Sequence, residues 1–374
     1  MSKINNTIAI SFAILFISNS IQAQQNNQSD STPFHFEASY VSDVVHNFSG
    51  GIKTGTTYLG LANMKLGFDT EKVGWWKGGQ AFINAGNTHG GQPSATLVGD
   101  FQGVSNIEAG NLTFMYELWY KQSIGKMNIT LGLQDLNANF AVSEYGGLFT
   151  NSSFGIHSSI ADNIPTPIFP LTALGVNFQY SPSDAFTFQL AAFDGTPDDF
   201  ENNPNNLNWR LNQDDGFLLV GELQFNKSLL ANKNASYKLG VYYHQHNDTI
   251  NQEQQNDGFY FVGDQQLTNK LAIFSQIGIS PKKFNTNNRY LSLGLNYKDI
   301  FNNRPDDLFG LAVNYAGIDG NIVGSETAVE MTYHYQLCQN IYLRPDLQYV
   351  INPSGTVNKL KNALVGFLRI GISL

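Results

Sequence analysis

The chain closes on Ile341-Tyr342-Leu343-Arg344-Pro345-Asp346-Leu347-Gln348-Tyr349-Val350, a Pro/Ser/Gly break at 353–355, and Ala363-Leu364-Val365-Gly366-Phe367-Leu368-Arg369-Ile370-Gly371-Ile372-Ser373-Leu374. Counted back by twos, Leu374, Ile372, Ile370 and Leu368 are apolar, and Ser373, Gly371, Arg369 and Phe367 alternate with them. Strand side chains point to opposite faces in turn, so one face is greasy and the other carries a full charge. A soluble sandwich would bury the greasy face in a core. An outer-membrane barrel turns it to lipid and Arg369 to a wet lumen.

The same alternation recurs upstream. Leu112, Phe114, Tyr116, Leu118 and Tyr120 form one row against Thr113, Glu117 and Lys121; Phe186, Phe188 and Leu190 oppose Thr187 and Gln189. Leu291, Leu293, Leu295 and Tyr297 oppose Ser292, Gly294, Asn296 and Lys298, and Val329, Met331, Tyr333 and Tyr335 oppose Glu330, Thr332 and His334. Strand-like segments fall near 34–47, 55–68, 77–87, 111–121, 126–134, 172–181, 185–194 and 216–226, then 235–247, 257–263, 270–280, 288–298, 307–316, 325–337, 340–350 and 362–374. With sixteen strands rising first from the periplasm, odd-numbered connections face outward and run long, as at 88–110, 135–171 and 195–215. Even ones are tight, as at 122–125, 181–184 and 337–339, although 227–234 and 299–306 exceed the ideal. No helical periodicity of domain size and no fixed repeat competes with this reading.

Composition agrees. Charged residues are 14% of the chain, against about 25% in soluble domains, while aromatics reach 13%, with 27 Phe and 17 Tyr. No apolar run approaches the roughly 20 residues of a spanning helix, so a membrane protein with this sequence must be a barrel, whose closure satisfies every backbone group in lipid. Lys3, the apolar core Ile8 to Ile17 and the small residues up to Ala23 read as a signal peptide over 1–23. A short disordered tail over 24–33 and a barrel domain over 34–374 follow. Removing 1–23 takes away Lys3 and no acid, so the net charge of -9 becomes -10. That balance argues against a nucleic-acid binder and against a dedicated phosphate channel. The lone Cys338 permits no internal disulfide.

Four stretches carry a family likeness: Val98 to Glu108 running into Glu117-Leu118-Trp119, Leu131 to Asn137 leading to Gly147 to Ile156, Phe169 to Gly175, and Ala328 to Tyr333 through Tyr342 to Tyr349 with Asn352-Pro353. In these the chain resembles the carbohydrate-selective porins of the OprB family, over essentially its whole mature length. The resemblance implies a sixteen-stranded outer-membrane channel of a Gram-negative bacterium that passes monosaccharides such as glucose and similar small solutes by diffusion. It also allows a homotrimer. One departure is Leu374, where outer-membrane barrels usually end in an aromatic residue read by the barrel-assembly machinery. Two alternatives stay open: a general small-solute porin without sugar preference, and an outer-membrane barrel hydrolase.

Parity assigns Glu37, Lys65, Glu117, Lys121, Glu222, Lys238, Glu330, Arg344, Asp346 and Arg369 to the lumen. Selectivity in such a pore depends on its width, its donors and acceptors, and its charges. Glu117, Trp119, Glu222, Glu330, Arg344, Asp346 and Arg369 are the expected solute contacts, with Trp119 and Tyr242 offering flat faces to sugar rings. Opposite charges paired across the wall and bracing it would fit the same residues. The connection 135–171 is too long for an ordinary loop; it is expected to fold inside and narrow the barrel, with Asn151, Ser152 and Phe154 on it and the first two open to solute. His244 and His246 share a face without a third ligand nearby, and no nucleophile–base motif occurs. Catalytic residues, a metal and a cofactor are therefore not expected.

Overall fold

The computed structural model describes residues 32–374 apart from 213, 248–252, 284, 319–323 and 356–358. The expected signal peptide over 1–23, and the tail up to residue 31, lie outside the described residues. Sixteen strands follow in chain order: β1 Phe34–Gly51, β2 Gly55–Asp69, β3 Gly79–Gly90, β4 Leu112–Ile124, β5 Met127–Gln134, β6 Ala173–Ser183, β7 Phe186–Asp194 and β8 Phe217–Phe225. The second half comprises β9 Ala235–Asn247, β10 Glu253–Gln266, β11 Leu271–Ile279, β12 Asn287–Lys298, β13 Leu308–Ile318, β14 Gly324–Cys338, β15 Ile341–Ile351 and β16 Lys361–Ser373. Each expected strand is present, with end points displaced by four residues or fewer. Every strand pairs antiparallel with its sequence neighbours, and β1 pairs with β16 to close the barrel. Closure leaves no edge strand, which is the condition for backbone to sit in hydrocarbon.

The rows read from β7, β12, β14 and β16 hold. Phe188, Leu190, Leu291, Leu293, Met331 and Leu368 are exposed on the outside, whereas Gln189, Ser292, Glu330 and Arg369 are buried inside. The upper half of β4 departs from its expected row. Glu117 opposes Asn84 and Met115 opposes Ala85, so Tyr116 is an extra residue that bulges out of the ladder. One inserted residue exchanges the faces of everything beyond it. Phe114, expected to face lipid, is therefore buried among Tyr116, Phe169 and Phe200. The β4–β5 ladder begins only at Leu118 with Leu133, so the edge of β4 above it needs other partners. The connection after β7 supplies them: Met115 N donates to Asn205 O, and Asn205 Nδ2 donates to Thr113 O.

The three longest connections, after β3, β5 and β7, all leave the odd-numbered end. The asymmetry rests on those three, because β1 and β2 are joined by only 52–54 at the same end and the even-numbered end has turns at 70–78, 226–234 and 299–307. The connection after β5 folds into the barrel as short helices, α1 Ser152–Gly155 and α2 Ser158–Ala161. Its Leu136, Phe140, Ile156, Ile160 and Ile164 pack on inward residues of β7 to β10. Around residues 97–107, the connection after β3 likewise packs on Val45, Leu59, Val350, Val365 and Phe367. Inside this barrel the apolar residues build small cores beneath infolded loops, so much of the interior is packed where a wet wall was expected.

Candidate functional site: the barrel interior

The infolded segments hang on carboxylates of the wall. Ala141 N donates to Glu222 of β8 at 2.8 Å. Ser143 Oγ and Glu144 N donate to Asp264 of β10 at 2.7 and 3.0 Å. Thr150 N and Asn151 N donate to the two oxygens of Glu330 of β14 at 2.6 and 3.0 Å. Glu326, also of β14, accepts from Phe101 N and Gln102 N of the other segment at 2.7 and 2.9 Å. Hydrogen bonds to a charged acceptor are about twice as strong as neutral ones, and all here except that of Ser143 Oγ pair a backbone N–H that burial would otherwise orphan. Gln276 and Gln348 complete the attachment by donating to Phe154 O and Val104 O, both at 2.9 Å.

This arrangement corrects several expected roles. Glu222 and Glu330 face inward as read, yet they are buried and hold the loop. Tyr242 is buried too, donating to Ser159 O at 3.0 Å, so it presents no open ring. Arg369 forms a two-pronged pair with Asp43 of β1, Nε–Oδ1 2.6 Å and Nη2–Oδ2 2.8 Å, and bridges the closing seam. Asn151, expected to be open to solute, is buried; its side chain accepts from Ser153 N and Asn314 Nδ2. Phe154 packs against Phe149 and Phe274 at centroid distances of 5.0 and 6.0 Å. Ser152 remains half-buried, its N–H donating to Gly103 O.

Arg344 and Asp346 lie side by side on the inward face of β15 without an ion pair among the described residues. Arg344 lies over the Tyr342 ring at 5.1 Å and shares a hydrogen bond with His334 Nδ1 at 3.3 Å. Its Nε and the Oδ2 of Asp346 have no protein partner.

The wall from β1 to β4 stays open below the loops. Lys65 pairs with Glu37 at 3.6 Å, both half-buried. Trp119 stacks on Phe82 at 4.9 Å with an interplanar angle of 26°. Its Nε1 donates to Glu117 at 3.2 Å, and Lys121 Nζ sits 5.7 Å over its ring. Phe82 was missed because its partner ring lies on another strand; only the register of β3 on β4, which sets Phe82 opposite Trp119, brings the two together. Asp264 and Glu326 were missed as anchors because they accept from backbone amides, which leave no trace in sequence, and Asp43 because its partners Ser105 and Arg369 lie far along the chain.

Electrostatics concentrate where the loop is rooted. Burial, reinforced by the charge of Glu117, pushes the Asp135 carboxyl up to about 7; it accepts from Tyr116 Oη at 2.7 Å and Asn137 N at 2.8 Å. His157, stacked on Tyr290 at 5.6 Å and near Tyr260, is pushed down to about 3 by burial and stays neutral. His244 and His246 stack at 4.6 Å, with His244 Nε2 bonded to Gly195 O.

A family model described as carbohydrate-selective porin, OprB family, matches residues 53–374. Porin B of Pseudomonas aeruginosa is 25% identical over 402 residues, covering 90% of this chain and 87% of its own. The putative porin QuiX of Acinetobacter baylyi is 25% identical over 93% of this chain and 91% of its own. The structure of Pseudomonas putida OprB at high pH superposes with a TM-score of 0.82 at 20% identity, covering 92% and 95% of the two chains.

Proposed function

The chain belongs to the OprB family of carbohydrate-selective porins, and from that premise we propose that monosaccharides such as glucose, with similar small solutes, diffuse through it along the open β1–β4 wall. The observation that carries this reading is the half-buried Phe82–Trp119 stack, flanked by Glu117 and Lys121. An aromatic face beside an acceptor and a donor suits a ring with an apolar side and hydroxyls on its rim. The channel works in the outer membrane of a Gram-negative bacterium, is exported by a signal peptide over 1–23 and is inserted by the barrel-assembly machinery, with a homotrimer as the assembled form. Its outward rows meet lipid.

Liposome swelling with sugars and with amino acids of matched size tests the proposal. Sugars should enter faster than amino acids of equal size, and Trp119→Ala should reduce that preference while leaving the folded barrel intact. Equal rates for all solutes of one size would remove the carbohydrate assignment and leave a general porin.

A further inference from the structure

At the even-numbered end, the turns 70–78, 226–234 and 299–307 are each nine residues long, well beyond what joining two antiparallel strands requires. Each presents a pair of large apolar residues: Trp75 and Trp76, Leu229 and Leu230, Ile300 and Phe301. One of each pair is strongly exposed, Trp75 at 63%, Leu229 at 79% and Phe301 at 69%.

The turns fold back over the outer rim. Trp75 lies 5.4 Å from Phe68, and Trp76 Nε1 donates to Tyr120 Oη at 2.6 Å. Ser228 accepts from Gln265 Nε2 at 3.0 Å, and Phe301 lies 5.4 Å from Tyr333. Phe68, Tyr120, Gln265 and Tyr333 all belong to outward rows.

Cations flank two of the three pairs. Lys72 and Lys77 bracket Trp75–Trp76, and Lys227 and Lys233 bracket Leu229–Leu230. Lys72 and Lys227 have no carboxylate partner among the described residues, Lys77 has only Glu71 at 3.9 Å, and Lys233 bonds the neutral Asn269. The third turn differs, because Arg304 is paired with Asp307 and Lys270 with Asp299. Whole ends differ in the same sense: the even-numbered connections hold seven Lys or Arg against five Asp or Glu, whereas the odd-numbered connections hold five against twelve.

We propose that turns 70–78 and 226–234 are headgroup sites for anionic phospholipid in the leaflet at the periplasmic end. The lysines hold the phosphate as compact point charges, and the apolar pairs enter the acyl boundary, with the tryptophans at the interface they favour. The turn at 299–307, its charges already neutralised, is an apolar anchor without headgroup preference.

Native mass spectrometry of the full chain, titrated with phosphatidylglycerol or phosphatidylethanolamine of equal acyl composition, tests this. Each lysine near an anionic surface is worth about fivefold in affinity, so phosphatidylglycerol should be retained preferentially. Lys72→Glu with Lys77→Glu, and Lys227→Glu with Lys233→Glu, should each lose about one retained lipid. Ile300→Ser with Phe301→Ser should lose none. Unheated gel mobility and sugar flux verify that every variant is a folded channel. Equal retention of the two lipids, or unchanged retention in both charge reversals, overturns the proposal. So does displacement of the lipid by inorganic phosphate alone. A second measurement stands apart from retention: quenching by acyl-brominated phospholipid should fall in Trp75→Phe with Trp76→Phe. Quenching unchanged in that variant would place the turn in water, open to a soluble partner, and would sink the lipid reading.

Discussion

Glu330 shows how one side chain changes meaning between sequence and structure. Its parity places it inside, and inside it is, but two backbone N–H groups of the loop end on it. Glu330→Ala should leave those donors buried and unpaired, at about 1–3 kcal/mol each, and Glu330→Gln should be milder. Limited proteolysis of the folded barrel reads this as faster cleavage within 135–171; wild-type cleavage rates in the alanine variant would dismiss the anchor. Tyr260 and Gly240 illustrate a tighter constraint. A Cβ on Gly240 would fall 1.9 Å from the Tyr260 ring, which lies across that glycine from the neighbouring strand. That only glycine fits there follows from the register.

Among the elements, the infolded connection after β5 matters most. Its length marked it as functional, and its entry into the barrel follows from apolar residues that find partners on inward faces of β7 to β11 and β13. Deleting 145–160 should raise single-channel conductance, and an unchanged value would reject its narrowing role. Its root should also respond to pH. Asp135 has an ordinary value of 3.8 and is raised to about 7, so its contribution to loop docking is full below about pH 4. That contribution declines as pH rises and is gone above about 7, where the carboxylate must stay buried as an anion. Hydrogen exchange over 135–171, corrected for intrinsic rates, should therefore show weaker protection at pH 8 than at pH 5. Asp135→Asn should flatten the difference; an undiminished difference would point to other groups. The bulge at Tyr116 belongs to this scale as well, since its hydroxyl binds Asp135, tying the break in the parity of β4 to the base of the loop.

For the whole molecule, closure is the decisive event, and the buried Asp43–Arg369 pair spans its seam between β1 and β16. Removing one member of a buried pair costs about 3–5 kcal/mol, whereas replacing both with apolar residues of similar size is often neutral. Arg369→Ala should lower the urea midpoint of the compact band on unheated gels, and Asp43→Leu with Arg369→Met should restore most of it. A midpoint unmoved in Arg369→Ala would remove the pair from the account of closure. The sequence by itself determined the barrel, its sixteen strands and, outside the bulged upper half of β4, which of the quoted rows meet lipid, because period-two alternation is a local property that each strand carries in its own residues. It could not foresee which inward charges stay open. Glu222, Glu330 and Arg369 look no different in sequence from Glu117, yet three are covered and one is not. What separates them is where two long loops fold back, and that depends on contacts between residues as distant as Thr150 and Glu330, which only the closed tertiary structure brings within reach.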